Sequence, residues 1–205
     1  MIVLAIGDGL AADPALIEWI ASHETELPTS IRFDAVSVGS GDIARLAESE
    51  RGIDTSLPAP FVSSNAIRAD GDRPVAAKET VVECGDRRVA VLSVSPAGDH
   101  AGVVWTGPVD ALANAPGVAG ADLTVLMSSL GLVMETADLA VLDSVDVVIG
   151  AGQPGSDEPM ALGPSGPVLL RAGYPGRCVG TALIECAGAS VQVIEWQQRL
   201  FIPDA

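Results

Sequence analysis

Ala121-Asp122-Leu123-Thr124-Val125-Leu126-Met127-Ser128-Ser129-Leu130-Gly131 is the stretch on which the reading of the fold turns. Leu123 to Met127 reads as a strand, and it runs straight into a turn of two serines, a leucine and a glycine. A helix is expected next over 134–142, then a second strand over 145–149. A strand, a tight turn, a helix and another strand form the repeating unit of α/β proteins.

Working toward the N-terminus, Glu79 to Cys84 and Arg88 to Val94 are β-rich runs joined by Gly85-Asp86-Arg87, a hairpin signature. Short strands are expected at 2–6, 33–38 and 61–64, and a helix over about 42–50. Asp13-Pro14 is a helix start, with an acidic N-cap and Pro at the first helical position. A helix is also expected over 109–114, and residues 97–106 read as a loop. Toward the C-terminus a Gly/Pro-rich stretch, 150–166, leads into three β-runs at 167–171, 178–186 and 190–196. Strand and helix alternate in the first half, and antiparallel pairs are added in the second. That order suits an α/β fold of two packed mixed sheets flanked by helices.

Composition sets the outer bounds. The 205 residues suit a single domain with a proper core. Hydrophobic residues make up 48%, charged residues 19% and aromatics only 3%, so the core is built from aliphatic side chains. With 27 acidic and 11 basic residues the net charge is −16, which repels phosphate backbones and anionic lipid. Nucleic acid is therefore not an expected partner. No signal peptide and no membrane span are read, and three widely spaced cysteines, Cys84, Cys178 and Cys186, form no CxxC motif. The expected setting is a reducing cytoplasm, with the thiols buried and structural.

Three stretches together carry a resemblance: 121–131 above, Val145-Asp146-Val147-Val148-Ile149-Gly150-Ala151-Gly152, and Val168-Leu169-Leu170-Arg171-Ala172-Gly173-Tyr174-Pro175-Gly176-Arg177-Cys178-Val179-Gly180. Phe33-Asp34-Ala35-Val36-Ser37-Val38-Gly39-Ser40-Gly41-Asp42, Phe61-Val62-Ser63-Ser64-Asn65 and the hairpin follow the same order. Their collinear arrangement resembles the catalytic domain of 5'-nucleotidases and related calcineurin-like metallophosphoesterases. The resemblance implies an αββα sandwich and, in functional members, two divalent metals that activate a water and clamp the phosphoryl oxygens.

Such a site needs imidazole, carboxylate and amide ligands converging from strand ends. The Gly-Asp motif matches Gly7-Asp8, making Asp8 a bridging carboxylate, although Gly7-Asp8-Gly9 reads equally as a tight turn. The Gly-Asn-His motif falls on Gly39-Ser40-Gly41, the Ser-His-Leu-Gly motif on Ser128-Ser129-Leu130-Gly131, and the Gly-His-x-His motif on Ala151-Gly152-Gln153-Pro154. Ser40, Gly41, Ser129, Gly152 and Pro154 thus stand where nitrogen or amide ligands belong. His23 and His100, the only histidines, lie off the motifs. The family's opening Asp-x-His strand has no counterpart, so the expected domain is 1–205 without that strand.

The implied function is a catalytically degenerate phosphoesterase-like domain that binds a protein partner or a second copy of itself, with no cofactor. The alternative is a residual hydrolase of phosphomonoesters or nucleotides using Asp8, with Asp42 as helper and one weakly bound divalent metal. Ser128 and Ser129 lack a nucleophile elbow and read as loop serines satisfying backbone groups. Arg171, Arg177 and Tyr174 line a small pocket or frame a turn. Arg68, Arg87 and Arg88 read as solvated turn charges.

Overall fold

Side chains alternate across a strand, so an apolar run with few polar breaks can be buried only if both faces of its sheet are covered. The computed structural model describes residues 1–6, 33–48, 57, 60–70, 73–98, 102–112, 115–140, 142–151, 158–171, 178–188 and 190–200. Its strands are β1 (Leu4–Ala5), β2 (Ala35–Ser37), β3 (Phe61–Val62), β4 (Ala66–Arg68), β5 (Glu79–Cys84), β6 (Arg87–Val94), β7 (Val103–Trp105), β8 (Leu123–Ser128), β9 (Val147–Gly150), β10 (Met160–Ala161), β11 (Val168–Arg171), β12 (Cys178–Ala187) and β13 (Ser190–Leu200). The helices are α1 (Ser40–Glu48), α2 (Pro108–Leu112) and α3 (Leu132–Asp138), with a 3-10 turn at Pro116–Val118.

A six-stranded sheet runs in the order β10-β11-β9-β8-β6-β5. Its four inner strands are mutually parallel, and β10 and β5 close the two edges antiparallel. All six residues of β8 are buried. Leu92, Val94, Leu126, Val148 and Leu169 point to one face, where Leu112 of α2 and Leu130, Leu139 and Leu142 around α3 cover them. Val89, Val91, Val125, Met127, Val147 and Leu170 point to the other. Burying a single Leu of this set contributes about 1.5–3 kcal/mol, so double-sided burial fixes the register firmly.

The second face is covered by two pieces. One is the parallel sheet β1-β2-β3, which contributes Leu4, Ala35 and Val62. The other is the long β12–β13 hairpin, which lays Ala182, Ile184, Val191, Val193 and Trp196 on the same core. Gly180 lies beneath the Trp196 ring, where a Cβ would collide with the indole. A third cluster fills the far side of the parallel sheet. There Val36, Val38 and Phe61 meet Ile43 of α1, together with Ala66 of β4 and Val103 of β7. The layers are helix, sheet, sheet and helix: a mixed α/β sandwich, as the sequence implies.

The elements differ from expectation in instructive places. Residues 97–106, read as a loop, contain β7, which pairs antiparallel with β4, itself not anticipated. Each has three residues. Arg68 is not a solvated turn charge: it lies in β4 and is buried. The hairpin from β5 to β6 turns on Gly85 and Asp86, with Gly85 at φ 66, a left-handed conformation suited to glycine. Cys84 and Cys186 are free and only half-buried. Burial pushes the Cys186 thiol up, against the pull of Arg87. Val193 and Trp196 pack on the domain, while Ile194 stays exposed. The helix expected at Asp13-Pro14, Cys178's side chain, and His23, His100, Tyr174 and Arg177 lie outside what is described. Among the described residues no helix is long and apolar enough to cross a membrane.

Candidate functional site

Parallel strands bring their carboxyl ends to one edge, and α/β proteins bind ligands there. β6, β8, β9 and β11 end together, and so do β1, β2 and β3. Serines join the two sets. Ser37 at the end of β2 and Ser93 near the end of β6 share a buried hydroxyl–hydroxyl hydrogen bond of 2.7 Å. The Ser64 amide donates to Ser93 O at 2.8 Å, and the Ser93 amide donates back to Ser64 Oγ at 3.0 Å. The Asn65 side chain donates to Ser95 O at 2.8 Å and accepts from the Ser95 amide at 3.2 Å. Each buried backbone group so paired escapes a desolvation penalty of about 1–3 kcal/mol.

The sequence-predicted positions fall around this seam. Ser40 and Gly41 open α1, three and four residues past Ser37. The Asp42 carboxylate, buried, accepts the Gly39 amide at 2.9 Å and is thus engaged in shaping the entry to α1. Ser129 follows β8. Its amide donates to Val94 O at 3.0 Å, and its hydroxyl leans toward the same oxygen at 3.5 Å. Ser128 Oγ accepts the Leu130 amide at 3.3 Å. Both serines therefore serve backbone groups. Asp8, Gly152 and Pro154 lie outside the described residues.

A second polar group at these strand ends went unread in the sequence. Glu135 of α3 is 0% exposed and forms an ion pair with Arg171, the last residue of β11, which is 6% exposed. Arg171 Nη2 also donates to Ala151 O at 3.0 Å, and the Ala151 amide donates to Ser128 O at 2.7 Å. Burial pushes the Glu135 carboxyl above the ordinary range, partly offset by the Ser128 hydroxyl, the Arg171 guanidinium and the Gly131 amide. A Cβ at Gly150 would lie 3.0 Å from both Glu135 carboxylate oxygens and 3.2 Å from Arg171 Nη1. The glycine that closes β9 thus makes room for the pair. Arg171 joins the ends of β9 and β11 to α3.

No family model matches this sequence, and no curated protein does. Solved structures do. The NAD nucleotidase of Haemophilus influenzae aligns with a TM-score of 0.64 at 11% identity, over 83% of this chain and 40% of that one. A 5'-nucleotidase precursor from Thermus thermophilus aligns with a TM-score of 0.57 at 17% identity, over 83% and 39%. The fold is 5'-nucleotidase-like. This chain spans less than half the length of either of those proteins. A hypothetical protein from Thermus thermophilus is nearer in extent, with a TM-score of 0.57 at 15% identity over 98% of this chain and 87% of that one.

The resemblance read from the sequence carries the expectation of a dinuclear metal centre at these strand ends. The described donors do not fit one. Serine hydroxyls and a glycine stand at Ser40, Gly41 and Ser129, Asp42 is committed to a backbone amide, and Glu135 is committed to Arg171. Among the described residues no group of three or more His, Cys, Asp or Glu side chains converges. Neutral hydroxyls hold zinc, manganese or iron far less well than imidazole or carboxylate.

Proposed function

We propose that this chain, as one domain, is a non-catalytic binding subunit built on a 5'-nucleotidase-like fold. The observation that carries the reading is the chemistry of the strand-end seam. The hydroxyls of Ser37, Ser64 and Ser93 and the Asn65 amide are spent on one another and on the backbone, and Glu135 is paired with Arg171, whereas Ser95 Oγ and Glu135 Oε1 are buried with no hydrogen-bond partner among the described residues. A hydrolase of this architecture needs ligands free to leave the protein's own hydrogen-bond network and take a metal. Partner proteins are the expected ligands, since the acidic chain disfavours nucleic acid.

The second reading, a residual metal-dependent hydrolase of phosphomonoesters or nucleotides, is favoured by the fold likeness and by Asp8, which follows β1. One assay separates the two. The purified chain is incubated with a generic phosphate monoester and with Mn²⁺, Mg²⁺ or Zn²⁺, and bound metal is measured by elemental analysis. The binding-subunit reading expects turnover at background level with every metal and no stoichiometric metal. Turnover that disappears in Asp8→Asn establishes the hydrolase and removes the binding-subunit reading.

A further inference from the structure

Surface helices turn apolar residues inward and polar ones outward. α3 does the reverse at its first turn. Leu132, Val133 and Met134 are 42%, 81% and 40% exposed, while Glu135, the next residue, is fully buried. Glu135 and Leu139, four apart, define the inward face. Turning Leu132 or Met134 inward would pull Glu135 away from Arg171, its cation partner among the described residues. An exposed run of three large apolar side chains beside a candidate site has a free-energy cost in water unless something covers it.

The surroundings state the chemistry of the cover. No Lys or Arg occurs between Arg88 and Arg171, whereas acidic residues recur through that stretch. Asp138 lies on α3 itself, and Asp143 follows it, exposed. The apolar turn is thus followed in the chain by Asp138 and the exposed Asp143, while the neighbouring Arg171 is buried and paired with Glu135. A second copy would bring the same acids to the same surface, and an anionic membrane would be repelled.

We propose that Leu132, Val133 and Met134 form the docking surface for a partner protein's segment that presents an apolar centre rimmed by Lys or Arg. This deepens the binding-subunit reading and rests on it.

The test uses the full chain and two designed amphipathic helical peptides, one of Leu and Lys and one of Leu and Glu, titrated by calorimetry. The Leu/Lys peptide binds the wild type, and the Leu/Glu peptide does not. Val133→Asp weakens Leu/Lys binding on the order of tenfold or more, as loss of a central apolar contact does. The sign is diagnostic. The substitution adds a negative charge, so attraction by charge alone would tighten binding. Leu132→Gln, which leaves the charge unchanged, weakens it too, and circular dichroism confirms that both variants are folded. Unchanged or tighter binding in Val133→Asp overturns the proposal. So does a concentration-dependent dimer abolished by that variant, or binding to phosphatidylserine vesicles. The phosphate-ester assay on the same samples keeps the two levels apart. Turnover defeats the parent reading, whereas an inert protein with no peptide discrimination defeats this surface alone.

Discussion

Two arginine–carboxylate pairs lie at opposite ends of the six-stranded sheet, and their environments give them opposite roles. At the carboxyl ends Arg171 and Glu135 are buried, and burial is the largest influence on Glu135, holding its carboxyl above the ordinary range. At the amino ends Arg87 Nη1 meets Asp122 at 2.9 Å with both side chains partly open to water. There the Arg88 amide and the Arg87 side chain hold the Asp122 carboxyl below its ordinary range. The same two kinds of side chain form a costly internal clamp in one place and a screened surface link in the other. Desolvation decides the difference.

The comparison breaks hardest at Arg171. Arg171→Met leaves Glu135 buried without a cation, and a loss of about 3–5 kcal/mol in unfolding free energy is expected by urea denaturation. Adding Glu135→Leu to that variant should recover much of the loss, because two apolar groups replace the pair. A double variant no more stable than Arg171→Met would mean that the pair is not the source of the penalty.

Gly150→Ala probes the same clamp sterically. Its Cβ would press on the Glu135 carboxylate, so about 1–3 kcal/mol should be lost, in the range of overpacking elsewhere. A neutral result would show that α3 can yield.

pH sharpens the contrast, because the two carboxyls move stability in opposite directions. Glu135 binds its proton more tightly folded than unfolded. Its contribution is greatest at low pH and is lost as pH rises through its raised folded value. Asp122 binds its proton less tightly folded. Its contribution is present above the ordinary Asp range and lost as pH falls through its lowered folded value. On acidification the wild type should therefore gain on Glu135→Gln and lose to Asp122→Asn, as measured by denaturation across pH. Shifts of the same sign in both would show that the two sites do not differ as described. The smallest expected effect is Asp122→Asn at neutral pH, a slight destabilisation that shrinks as salt is raised.

The fold was largely legible in the chain. β8, β9, β11, the β5–β6 hairpin and the two C-terminal strands stand close to where the β-rich runs put them, because buried strands record their burial as near-continuous apolar sequence. β4 and β7, of three residues each, escaped. The site was legible only in part. Ser40, Gly41 and Ser129 could be placed at strand ends from motif order, but their hydrogen bonds could not. Glu135 was not singled out, although it stands in an apolar neighbourhood and the next basic residue after it, Arg171, ends a strand two crossings later. That isolation was the available signal.

By itself the sequence determined the α/β architecture, the aliphatic core and the acidic balance, since all three follow from residue type and local period. Tertiary structure decided which polar groups are spent on one another. Ser37 meets Ser93 across two sheets, and Glu135 meets Arg171 across 36 positions of chain. Such pairings depend on how distant strand ends converge, and no local pattern encodes them. The exposed turn Leu132-Val133-Met134 is of the same kind: its apolar character is written in the sequence, but its outward direction, beside a buried acid, is seen only in the fold.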